Sequence, residues 1–167
     1  MSLILSGVPL VAQSTSNTCW YASACMVAYF FEAGPRLGIP EYLAKNKAVT
    51  PHEFITLAKN EGLETCNTAT IWTEDKLSGL LSKSGPVWCA GYWYGPGHVI
   101  ALYGASGGHV FFNDPNGGIS KKETISWFNK KLAKSVQGCM MIRRTTMSLR
   151  PSTGWHDAPT GLHLRAR

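Results

Sequence analysis

Apolar residues recur with helical spacing in the first half of the chain and with strand spacing afterwards. An extended stretch over Val8–Val11 is followed by the polar run Ser14-Thr15-Ser16-Asn17-Thr18. Trp20, Ala24, Val27 and Phe31 then fall at i, i+4, i+7 and i+11, the stripe of a helix packed on a core. Ser16, Asn17 or Thr18 can cap this helix, and Gly34-Pro35 ends it. Thr50-Pro51-His52-Glu53 reads as an N-cap, a first-turn proline and an acidic first turn, opening a second helix that runs to about Asn60 and stops at Gly62. A third opens at Thr73-Glu74-Asp75 and closes at Gly85-Pro86. Val87–Tyr94, His98–Tyr103 and His109–Asp114 are short, aromatic and β-branched runs between glycine-rich turns, which predicts strands. Lys121–Lys134 reads as a fourth helix, and a strand follows around Cys139–Arg143. Helices first and antiparallel strands afterwards predict an α+β domain over residues 1–144. Pro151, Gly154, Pro159 and Gly161, with few apolar residues between them, predict a poorly ordered basic tail over 145–167.

The 167 residues suit one domain, and 44% hydrophobic against 16% charged residues predicts a packed core. No apolar run reaches the ~18 residues of a membrane span. The first seven residues lack the basic and apolar regions of a signal peptide, so no membrane partner and no general export are expected. The formal charge of +6 changes meaning once it is localised. Arg143, Arg144, Arg150, Arg165 and Arg167 face only Asp157, so the excess lies mainly in the tail and argues against a nucleic-acid groove.

Five cysteines (19, 25, 66, 89 and 139) form no C-x-x-C pair and are odd in number. That opposes a disulfide framework or a zinc knuckle and leaves at least one free thiol. Cys19 lies in the first turn of the first helix, where unsatisfied N–H groups and the positive dipole end favour an anion, hence a nucleophilic thiolate. Cys25, Cys66, Cys89 and Cys139 lack this placement and read as packing residues. Gln13, six residues upstream, carries an amide suited to donate to an oxyanion alongside the Cys19 N–H. Taking Gly104–Gly108 as a hairpin loop and pairing Tyr103 with His109 sets His98 opposite Asp114, within reach of an Asp–His hydrogen bond. A slip of one residue would set Asn113 there instead, and either residue can orient the ring. His109 follows two turn glycines and reads as an exposed hairpin residue; His52 reads as a helix-start surface residue, and His156 and His163 lie in the tail.

Gln13, then five residues, then Cys19-Trp20 and a helix resembles the papain-like cysteine proteases. Gly97-His98-Val99-Ile100-Ala101-Leu102-Tyr103-Gly104, Phe112-Asn113-Asp114-Pro115 and the helix ending in Gly85-Pro86-Val87 resemble the compact bacterial C39-like branch. The resemblance spans roughly residues 8–143. It implies a two-lobe fold, with Cys19 at a helix start in an N-terminal helical lobe and His98 and Asp114 in a C-terminal antiparallel sheet lobe. It further implies a Cys-His-Asp endopeptidase with Gln13 in the oxyanion hole, a protein substrate, and no metal or organic cofactor. Trp20, Trp93 and Gly97 are candidates for lining the substrate cleft, with Tyr92 and Tyr94 beside them. The short chain also resembles bacterial effector proteases delivered by specialised secretion systems into a target-cell cytoplasm, for which an immunity or inhibitor protein is a further partner. Two rivals share these residues: a transglutaminase-like transferase or deamidase, and a catalytically silent protein-binding module.

Overall fold

The computed structural model describes residues 1–144, and the tail expected over 145–167 lies outside the described residues. Twelve elements follow in chain order: β1 (Leu3–Ile4), α1 (Cys19–Phe31), α2 (Pro40–Ala44), α3 (Pro51–Glu61), β2 (Leu63–Thr65), α4 (Glu74–Ser84), β3 (Val87–Gly91), β4 (His98–Ser106), β5 (His109–Asp114), β6 (Ile119–Thr124), α5 (Ile125–Lys131) and β7 (Met140–Arg143). The strands form one antiparallel sheet in the order β2-β7-β3-β4-β5-β6, with β1 added alongside the far end of β4. The α+β expectation is met.

The helix punctuation works as its chemistry requires. Thr50 and Glu53 close a reciprocal capping box on α3, and Gly62 ends that helix in the left-handed conformation at φ 68°. The Thr73 hydroxyl accepts from the Lys76 N–H at the start of α4. In α1, by contrast, every residue from Trp20 to Ala28 is buried, so this helix is enclosed on all sides and no single stripe faces the core.

The fourth helix expected over Lys121–Lys134 divides in two. Residues Ile119–Thr124 pair with the whole of β5, and helix begins only at Ile125, where the Thr124 hydroxyl caps it by accepting from the Trp127 N–H. Lys121-Lys122-Glu123-Thr124 suits a solvated helix face equally well, and the hydrogen-bonding edge of β5 decides the outcome. The first expected strand is also shorter: it ends at Gly91, and Tyr92–Tyr94 begin the bend toward His98. The short elements β1, α2 and β2 carry too few residues for a periodic signal and went unpredicted.

The hairpin that places the site is built differently from the expectation. Ser106 pairs with His109 across the two-residue turn Gly107-Gly108, whose φ values of 59° and 76° require the left-handed region twice. A bulge at Tyr103 then shifts the register, so that Leu102 pairs with Phe112 and Ala101 with Asn113. Continued outward, this register sets Asp114 level with Ile100, two residues from His98 and on the same face. The directly opposed pairing is therefore corrected to a diagonal one. Without the extra residue, Asp114 would lie on the other face of the sheet, so the bulge supplies the parity that the site needs.

Gly91, the ladder partner of His98, has no room for a side chain. A Cβ there would stand 2.6 Å from the Trp93 ring and 2.7 Å from the Lys131 carbonyl oxygen. Gly91→Ala is expected to lower stability by about 1–3 kcal/mol through overpacking, read as a lower urea midpoint at unchanged slope.

Candidate active site

Cys19 is the first residue of α1, following Thr18 as the N-cap. At this position the backbone N–H has no intrahelical acceptor, so it can serve an anion. Two buried hydrogen bonds fix the helix against the sheet close to that end. The Ser23 hydroxyl, one turn along, donates to the carbonyl of Val99 at 3.2 Å, and the Trp88 indole donates to the carbonyl of Trp20 at 3.0 Å. Val99 follows His98 directly, so the Ser23 bond ties the turn carrying the thiol to the strand carrying the imidazole.

His98 Nε2 lies 2.7 Å from Asp114 Oδ1, which leaves Nδ1 as the ring nitrogen for the sulfur. Burial works against the charged ring. The hydrogen bonds with Asp114 and Cys19 outweigh it, together with the charges of the same two groups, and raise the His98 pKa from 6.5 to about 9. Burial likewise works to raise Asp114, but hydrogen bonds from His98, Lys121 and the Asn116 N–H hold its carboxyl below the ordinary value. Asn113, the alternative orienting residue, points to the other side of the strand. Its amide donates to the carbonyl of Pro9 and accepts from the Ser120 hydroxyl.

Gln13 is held near the same loop through its backbone, its N–H donating to the carbonyl of Pro115 at 2.8 Å. Its side chain faces inward on itself: Nε2 donates to the carbonyls of Thr15 at 2.9 Å and Ser16 at 3.0 Å, while Oε1 is buried without a hydrogen-bond partner. Exchanging the two amide atoms would set Oε1 against two carbonyls, so the orientation is chemically determined. A ready oxyanion donor is therefore not what this conformation offers, because both amide N–H groups already have acceptors.

Beside Cys19 and His98 opens an apolar pocket of about 170 Å³, with Trp20, Val49, Phe54, Tyr92, Gly97 and Val136 among its walls. Trp93, expected beside the cleft, is instead 1% exposed; its indole donates to the carbonyl of Cys89 and its ring packs on Trp127 and Phe128. Tyr92 takes that place in the wall. The remaining thiols are poor nucleophiles: burial drives Cys25 and Cys89 far upward, raises Cys139, and pushes Cys66 up to about 12. Sequence reasoning missed Ser23, Trp88 and Lys121, whose roles depend on contacts between distant elements. Among the described residues no cluster of three or more His, Cys, Asp or Glu side chains is arranged to hold a metal ion.

Residues 3–133 match the family model described as papain-like cysteine protease AvrRpt2. The chain is also similar in fold to a solved structure described as a double glycine motif protease from an AMS/PCAT transporter in complex with the leader peptide. That likeness has a TM-score of 0.50 at 18% identity and covers 86% of this chain and 96% of the other.

Proposed function

The chain belongs to the family of the papain-like cysteine protease AvrRpt2, and from that membership we propose that Cys19 is the nucleophile, His98 the acid and base, and Asp114 the group that holds the ring. The observation that carries this reading is the 2.7 Å hydrogen bond between Asp114 and His98, with Cys19 and His98 lining the same apolar pocket. The Cys19 sulfur attacks a peptide carbonyl carbon and the C=O electron pair moves to oxygen, where the Cys19 N–H stabilises it. Collapse of this intermediate breaks the C–N bond as His98 gives its proton to the leaving amine. Water then attacks the thioester, His98 accepts a proton from it, and the sulfur departs as thiolate. Neither half of this cycle calls on a metal or an organic cofactor.

Gln13 joins the oxyanion hole in this proposal by exchanging its bond to the Ser16 carbonyl for one to the oxyanion. Gln13→Ala is then expected to lower kcat about 100-fold with little change in KM. A loss confined to thermal stability would assign the amide to the Thr15–Ser16 turn alone.

The substrate in this reading is a protein with an apolar side chain beside the scissile bond, fitting walls made of Val49, Phe54 and Val136. The place of action is a target cell reached through a specialised bacterial secretion system, with an inhibitor protein as a further partner; the support for this part is the sequence resemblance alone. The test is to incubate the wild-type protein and Cys19→Ala with a protein lysate and to sequence new termini by mass spectrometry. New peptide termini found only with the wild type, with apolar residues beside the cut, are the expected result. Deamidated or acylated side chains without new termini would replace the endopeptidase with a transferase or deamidase.

A further inference from the structure

Asp114 is 1% exposed and accepts more than the one hydrogen bond a ring-orienting carboxylate needs. Oδ1 takes His98 Nε2 and, at 2.9 Å, the Asn116 N–H, while Oδ2 takes Lys121 Nζ at 2.9 Å. Lys121 comes from β6, where Ile119 is the ladder partner of Asp114 and Lys121 stands two residues further along the same face. Its ammonium also lies 4.3 Å from the centroid of the Tyr94 ring, so it is held by both a carboxylate and an aromatic face. A lysine on an edge strand ordinarily extends into solvent; this one is two-thirds buried at the side-chain level.

We propose that Lys121 is a positioning residue for the thiol–imidazole chemistry: it holds one oxygen of Asp114 away from the ring and offsets that carboxylate's charge, so that the His98 proton stays transferable. This inference rests on the catalytic reading of Cys19 and His98 given above. A buried carboxylate facing the ring with no counter-cation would bind the imidazolium proton more firmly and make it a poorer acid toward a leaving amine. The ionisable groups around the ring are Cys19 from α1, Asp114 from β5, Lys121 from β6 and Tyr94 from the loop before β4, with Glu123 of β6 acting on Tyr94. Of these, Lys121 supplies the positive charge. Its removal favours the charged ring, so the effect on His98 is upward.

The test is an NMR titration of the His98 ring in wild type, Lys121→Met and Lys121→Arg, with the resonance assigned through His98→Ala. Methionine keeps the aliphatic stem, and arginine keeps the cation. The midpoint is expected to rise by about one pH unit in Lys121→Met and to stay near the wild-type value in Lys121→Arg. An unchanged midpoint in Lys121→Met would make Lys121 electrostatically inert, and a lowered one would make it a structural prop whose loss releases Asp114; either overturns the proposal. The titration reads the ring whether or not peptide bonds are cut, so failure of the protease reading would show separately, as absence of new termini with wild-type protein.

Discussion

Cys19→Ala is expected to reduce peptide hydrolysis by at least about four orders of magnitude while the protein keeps its fold. No other thiol can replace it. Cys25 lies on the same helix but is fully buried, and burial holds its proton, as it does for Cys89 and Cys139. Cys66 is only partly enclosed, yet its pKa is pushed up to about 12 and it is no part of the pocket beside His98. The fold survives because Cys19 is half-buried at a helix start, alanine is a good helix former, and the tethers through Ser23 and Trp88 remain. Circular dichroism and an unfolding free energy from denaturant titration within ~1 kcal/mol of wild type, alongside the lost hydrolysis, are the measurements that check it.

His98→Ala is expected to cost about three to four orders of magnitude, and Asp114→Asn distinctly less, about 10- to 100-fold. On the proposed roles, the alanine variant loses both the acid for the leaving amine and the base for water. The asparagine variant keeps a short polar side chain on the correct face and loses the charge and the second acceptor oxygen, which receives Lys121. The pH dependence separates the roles further. In the proposed mechanism the ring, with its pKa raised from 6.5 to about 9, is the proton donor through neutral pH, and hydrolysis is expected to fall as pH climbs through about 9. In Asp114→Asn that descending limb moves to lower pH, because one of the two neighbours that raise the ring is gone. Stability follows the same sign. A folded-state pKa above the unfolded one contributes stability that is complete below about 6.5 and disappears as pH rises through about 9. Asp114 works in reverse: its lowered carboxyl contributes stability above its ordinary value of 3.8, lost on acidification.

Much of this architecture was legible in the order of residues, and the exceptions share one cause. The thiol at the start of α1, the capping box at Thr50 and the stop at Gly62 are local chemistry, set by neighbours a few residues apart, and they appear where the sequence places them. The His98–Asp114 contact was anticipated through a register two residues out; the period of a strand forgives an even error, so the face was right although the pairing was not. The bulge at Tyr103 has no one-dimensional signature. The same holds for β6, where a lysine-rich run becomes strand because β5 offers an edge, and for Trp93, whose fate depends on Trp127 and Phe128 folding beneath it. Lys121 combines both difficulties. Its function depends on its being strand, and as a residue of the expected helix it would have read as one more solvated charge.

The central claim is that the Cys19 sulfur and the His98 imidazole act as one unit. The rate of alkylation by iodoacetamide as a function of pH, in wild type and His98→Ala with the adduct located by mass spectrometry, tests it most directly. The account predicts a single adduct at Cys19 and, near pH 6, where the imidazolium is fully formed, a rate at least about 10-fold faster in wild type than in His98→Ala. An adduct at another cysteine, or superimposable pH profiles for the two proteins, would contradict it.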